Sequence, residues 1–100
     1  MKIIVIDTIH ASLYSRLEEN GHVCVDASRL NDNDVFELLA GADGLVLRSR
    51  LTLDKAFINR FSHLKFIGRV GAGLEHIDKE FALEKGIAVL SSPEGNRQAV

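Results

Sequence analysis

Five short apolar runs, KIIVI (2–6), HVCV (22–25), GLVL (44–47), LKFIG (64–68) and IAVL (87–90), recur along this chain with helix-length segments between them. Each run is nearly continuous rather than alternating, the pattern of strands buried on both faces that a parallel sheet requires. The intervening segments carry their own start and stop signals. ASLYSRLEENG pairs Leu13 with Leu17 at helical spacing and stops at Gly21. NDNDVFELLAG opens on Asn and Asp capping residues, carries Val35, Leu38 and Leu39, and stops at Gly41. Thr52 is the expected N-cap of a helix in TLDKAFINRF, while Asp78 caps and Gly86 stops the helix in DKEFALEKG. This alternation predicts an α/β fold, a doubly wound parallel five-stranded sheet.

Composition removes several function classes. One hundred residues suffice for one core and not for two. With 46% apolar and 26% charged residues the chain reads as soluble and globular. A net charge of -2 provides no basic footprint for nucleic acid and no polybasic anchor for a membrane. MKIIVIDTIHASLY turns polar at Asp7 and His10, too soon for a signal peptide or a membrane span. The single cysteine, Cys24, has no internal disulfide partner and reads as a small core residue; a reducing cytoplasm fits it. His10, His22, His63 and His76 are dispersed. His22 and Cys24 share one strand face, but two ligands do not close a zinc site, so no metal is expected.

Ligands of doubly wound sheets sit at the carboxyl ends of the strands. Asp7-Thr8-Ile9-His10 follows the first run, Arg48-Ser49-Arg50 the third, Arg69-Val70-Gly71-Ala72-Gly73 the fourth, and Ser91-Ser92-Pro93-Glu94-Gly95-Asn96 the fifth. Arginine, hydroxyls and glycine make this an edge suited to an anion. GRVGAG, residues 68–73, admits three readings: a dinucleotide loop, a tight turn, or a loop whose backbone N–H groups hold a carboxylate. A dinucleotide fingerprint needs a third glycine where His76 stands, and it belongs after the first strand of its unit. The carboxylate reading suits the arginine-rich edge best. Asp7 has a turn or capping role as its plain alternative, and Arg48 and Arg69 have surface ion pairs as theirs.

IGRVGAGLEHID, followed by FALEKGIAVLSSPEGNRQAV, resembles the amino-terminal half of a D-isomer-specific 2-hydroxyacid dehydrogenase, most of all the phosphoglycerate-oxidising branch. DGLVLRSRLTLDKAFI (43–58) and MKIIVID extend the resemblance over essentially the whole chain. It implies a flavodoxin-like substrate domain over residues 1–94, with a hinge at Gly95 and Asn96 starting an inter-domain helix over 95–100. The chain would then be a fragment ending before a Rossmann domain, and inactive alone. NAD would be bound by that further domain, and the catalytic Arg, Glu and His would lie beyond Val100. Residue by residue, the resemblance puts Arg48, Ser49, Arg69, Val70, Gly71, Ala72 and Gly73 against a small-molecule carboxylate or phosphorylated substrate. The implied activity is NAD-linked interconversion of a D-2-hydroxy acid, 3-phospho-D-glycerate above all, with its 2-oxo acid, as the first step of serine biosynthesis. The implied parent is a homo-oligomer.

A non-catalytic flavodoxin-like ligand-binding or signalling module is the rival reading. A phospho-receiver would need an acidic cluster after the first strand and an aspartate ending the third, where Arg48 stands. A flavin phosphate loop would need glycine in DTIHAS.

Overall fold

The computed structural model describes residues 1–71 and 76–92 and shows strands and helices in strict alternation. They are β1 (Lys2–Val5), α1 (Ala11–Glu19), β2 (Val23–Asp26), α2 (Asp32–Leu39), β3 (Gly44–Leu47), α3 (Lys55–Arg60), β4 (Phe66–Val70), α4 (Lys79–Glu84) and β5 (Ala88–Ser92). All neighbouring strands pair in parallel, in the order β2-β1-β3-β4-β5. This is the flavodoxin-like doubly wound sheet, and its strand order reverses between β1 and β3.

The period of two along each strand sorts the core into two layers. Ile4, Ile6, Leu45, Leu47 and Ile67 meet Val35 and Leu39 of α2, Ile58 of α3 and Ala82 of α4. On the other face Ile3, Val5, Val46 and Val70 meet Leu13, Tyr14 and Leu17 of α1. Only the central strands answer the expectation of burial on both faces. The outer strands β2 and β5 are half-open, with Val23 63% and Leu90 57% exposed. An outer strand has a neighbour on one side only, and among the described residues α1 alone covers that face of the sheet.

Local signals place most helix ends. Asn31 caps α2 by accepting from Asp34 N at 2.8 Å, and Asp78 caps α4 by accepting from Phe81 N at 3.1 Å. Gly21 and Gly86 end α1 and α4 with φ of 85° and 80°. The helix expected to start at Thr52 starts later, with Asp54 accepting from Phe57 N at 2.9 Å. The reason is an isolated parallel bridge between Leu53 and Ile77. Leu53 N donates to His76 O at 2.8 Å and Asp78 N to Leu53 O at 2.9 Å, which holds residues 52–53 extended.

The fourth and fifth strands also run further than their apolar runs. β4 includes Arg69 and Val70, expected just past it, because they pair with Ser91 and Ser92 of an equally extended β5. Ladder pairing outweighs side-chain polarity here.

Candidate functional site: the carboxyl edge of the sheet

At the switch point between β1 and β3 the chain binds its own groups. Asp7 lies just past β1, and its Oδ2 accepts the backbone N–H of Arg48 at 2.6 Å, of Ser49 at 3.1 Å and of Arg50 at 3.1 Å. Three successive N–H groups converging on one oxygen make an anion-binding nest, already filled by this carboxylate. Arg50 reaches in the opposite direction. Its Nη1 donates to Ile6 O at 3.0 Å and Ala27 O at 3.2 Å, and its Nη2 to Leu30 O and to Asp32 Oδ1, the last at 3.1 Å. The loop after β3 is thereby fastened to the ends of β1 and β2 and to the first turn of α2.

One strand further on, the edge has a different character. Arg69 stands in β4 opposite Leu47 of β3 and Ser91 of β5. Its guanidinium curls back so that Nη1 donates to Val70 O. Its Nε is buried with no hydrogen-bond partner among the described residues. Gly71 follows with φ of 139°, and a Cβ there would run into the Arg69 guanidinium. Ser91 Oγ donates to Gly71 O at 3.3 Å. A buried charged donor left unsatisfied is costly, and native structures seldom carry one without a reason.

Several of the residues expected at the site lie along this edge. Arg48 directly follows Leu47, the register partner of Arg69, so the two arginines leave adjacent strand ends. Adjacent strands lie about 4.8 Å apart. Arg48 and Ser49 are both exposed, and their backbone N–H groups are engaged by Asp7. Val70 is a buried strand residue rather than a loop residue. Ala72, Gly73, Glu94, Gly95 and Asn96 lie outside the described residues.

Sequence reasoning noticed Asp7 without finding its partners, which stand 41 to 43 positions away. It gave Arg50 no role. It also passed over His76, whose Nε2 is buried with no hydrogen-bond partner among the described residues. No local spacing could have exposed these contacts. The only available signal was that Asp7 and RSR occupy the two strand ends where a doubly wound sheet reverses.

The described residues do not fit a dinucleotide. The space above Gly71 is taken by the Arg69 guanidinium, so a pyrophosphate cannot pack against the backbone there. Among the described residues no three His, Cys, Asp or Glu side chains are grouped to hold a metal ion. No described helix is long and apolar enough to cross a membrane. Burial raises the Cys24 thiol above its ordinary range, with Glu18 adding to the effect, so it packs as a half-buried apolar residue against the α1 layer.

The catalytic-domain model of the D-isomer specific 2-hydroxyacid dehydrogenases matches residues 3–100. The chain belongs to this family. It is 39% identical over 100 residues to D-3-phosphoglycerate dehydrogenase of Methanocaldococcus jannaschii, a match covering all of this chain and 19% of that protein. The D-3-phosphoglycerate dehydrogenase of Homo sapiens is 30% identical over 95 residues, covering 95% of this chain and 18% of its own length. The chain thus spans about a fifth of these curated relatives. Among solved structures, the NAD+-bound 3-phosphoglycerate dehydrogenase of Entamoeba histolytica superposes with a TM-score of 0.72 at 32% identity, covering 93% of this chain and 33% of that one. The apo D-lactate dehydrogenase of Escherichia coli reaches 0.78 at 20% identity, covering 100% of this chain and 33% of that one, a likeness of fold.

Proposed function

We propose that this dehydrogenase chain forms the substrate-anion side of an NAD-dependent enzyme that oxidises 3-phospho-D-glycerate at C2. Residues 1–94 would be the substrate domain and 95–100 its hinge. The observation that carries the reading is Arg69, whose buried Nε has no partner among the described residues, one strand from the exposed Arg48. Two guanidinium groups suit the paired oxygens of a carboxylate and a phosphate. Ser49, Val70, Gly71, Ala72 and Gly73 would line the approach, with the Arg69 guanidinium that lies over Gly71 meeting the substrate anion there. The names of the relatives support phosphoglycerate over other 2-hydroxy acids. NAD would supply the hydride acceptor from outside the described residues, whose own part is to bind and orient the anion.

The test is oxidation of a panel of D-2-hydroxy acids by the intact protein with NAD. The expected outcome is preference for 3-phospho-D-glycerate over D-glycerate, and equal use of the two would remove the phosphate assignment. A homo-oligomeric enzyme is part of the same proposal. The exposed Leu90 beside the α1 layer supports self-association on that face, next to a cavity of about 150 Å³ that Arg69 and Ser91 also line. Sedimentation of wild type against Leu90→Glu checks it, with dissociation expected in the variant.

A further inference from the structure

The nest at the switch point is occupied by the chain's own carboxylate, so a substrate anion cannot use those three amides. We infer that Asp7 is a positioning residue: it and Arg50 clamp the loop after β3 from both sides and so hold Arg48 in place for the substrate anion. This rests on the assignment of Arg48 to the substrate. Two sets of contacts carry the inference. Asp7 Oδ2 takes the N–H of Arg48 itself at 2.6 Å, the shortest of its three bonds. Arg50, two residues on, spends its guanidinium on Ile6 O, Ala27 O, Leu30 O and Asp32, and its own N–H returns to Asp7. The backbone of Arg48 is therefore fixed within a closed set of hydrogen bonds joining the ends of β1, β2 and β3.

The sign of the effect separates this role from plain electrostatics. A carboxylate beside this loop repels an incoming anion, so removing its charge should tighten anion binding if charge were all that mattered. Positioning demands the opposite. An Arg whose backbone is no longer held pays more ordering entropy to engage a ligand, and binding weakens.

The experiment measures the dissociation constant of 3-phospho-D-glycerate for the intact protein by calorimetry, well below its unfolding temperature. It compares wild type, Asp7→Asn, Asp7→Ala, Arg48→Ala and the Asp7→Ala/Arg48→Ala double variant. Asp7→Ala is expected to weaken binding about tenfold, the scale of one charge-assisted hydrogen bond, with Asp7→Asn between it and wild type. In the Arg48→Ala background, removing Asp7 should have no further effect, because the two act as one unit. Amide hydrogen exchange at residues 48–50 in Asp7→Asn reports the clamp itself and should rise.

Tighter binding in Asp7→Ala, or a full tenfold loss that persists without Arg48, would overturn the inference. So would unchanged affinity accompanied by a lower unfolding temperature, the mark of a merely structural role. If Arg48→Ala binds like wild type, the substrate assignment of Arg48 fails first and the inference with it. An Arg48→Ala loss without any Asp7→Ala loss sinks the inference alone.

Discussion

Arg50 and Arg69 are two arginines at one edge of one sheet, and their guanidinium groups are in opposite situations. Arg50 is 19% exposed in its side chain, with donors directed at four carbonyls and a carboxylate of its own chain. Arg69 is equally part of a strand end, yet one of its buried donors has no partner among the described residues. Nothing in the tripeptide RSR or in GRVG separates these roles. The lesson is that an arginine is assigned to structure or to ligand by asking which of its donors the chain has already satisfied.

The largest effect expected from this contrast is on stability, at Arg50. Arg50→Ala leaves Ile6 O, Ala27 O and Leu30 O without their guanidinium donors and should cost about 2–4 kcal/mol in denaturant unfolding. Arg50→Lys should recover little of it, since an ammonium cannot reproduce a planar fork. A loss below about 0.5 kcal/mol, the range of an ordinary surface change, would dissolve the distinction between the two arginines.

Arg69→Ala should behave in the reverse way. It removes an unsatisfied donor, so stability is expected to hold, while kcat/KM for 3-phospho-D-glycerate falls by about 1.5–3 kcal/mol of transition-state binding, roughly 10- to 150-fold. D-glycerate should suffer less if the guanidinium serves the phosphate. Steady-state kinetics beside an unfolding curve checks both halves. Equal losses for the two substrates would move Arg69 to the carboxylate.

The smallest effect concerns a satisfied charge that water can still reach. Asp26 ends β2, and Ser28 donates to its Oδ1 from both hydroxyl, at 2.6 Å, and backbone N–H, at 3.0 Å. These bonds, chiefly that from the hydroxyl, hold the carboxyl below its ordinary range. A depressed carboxyl contributes stability above its unfolded-state value and loses it as pH falls through the lowered folded-state value. Asp26 is exposed, so screening leaves about 0.5 kcal/mol or less. Wild type should exceed Asp26→Asn in stability by this small amount above the ordinary carboxylate range, and the difference should vanish as acid titration passes through the lowered folded-state value. Satisfying a charge thus contributes little in water and much when the group is taken out of it.

The sheet was legible because its signals are local: continuous apolar runs, Asn31 and Asp78 as caps, Gly21 and Gly86 as stops. Arg48 and Arg69 were legible as candidates because strand ends can be counted along the chain. The clamp was not, because Asp7 and its three amides are brought together only by the crossover from β1 through β2 to β3. Thr52 misled for a related reason, since the bridge to Ile77 that delays α3 is a contact between segments after different strands. The end of β4 depended on how far β5 extends beside it. Each shortfall lies where pairing across the fold overrules the nearest neighbours.

The bridge of Leu53 to Ile77 also governs how this edge can move. Asp54 begins α3 on one side of it and Asp78 begins α4 on the other, so both helices spring from one pivot. Leu53 is fully buried, and two backbone hydrogen bonds close the rung. Neither helix can swing away alone without breaking it. Displacing either helix at this end therefore breaks the rung or carries the other helix with it.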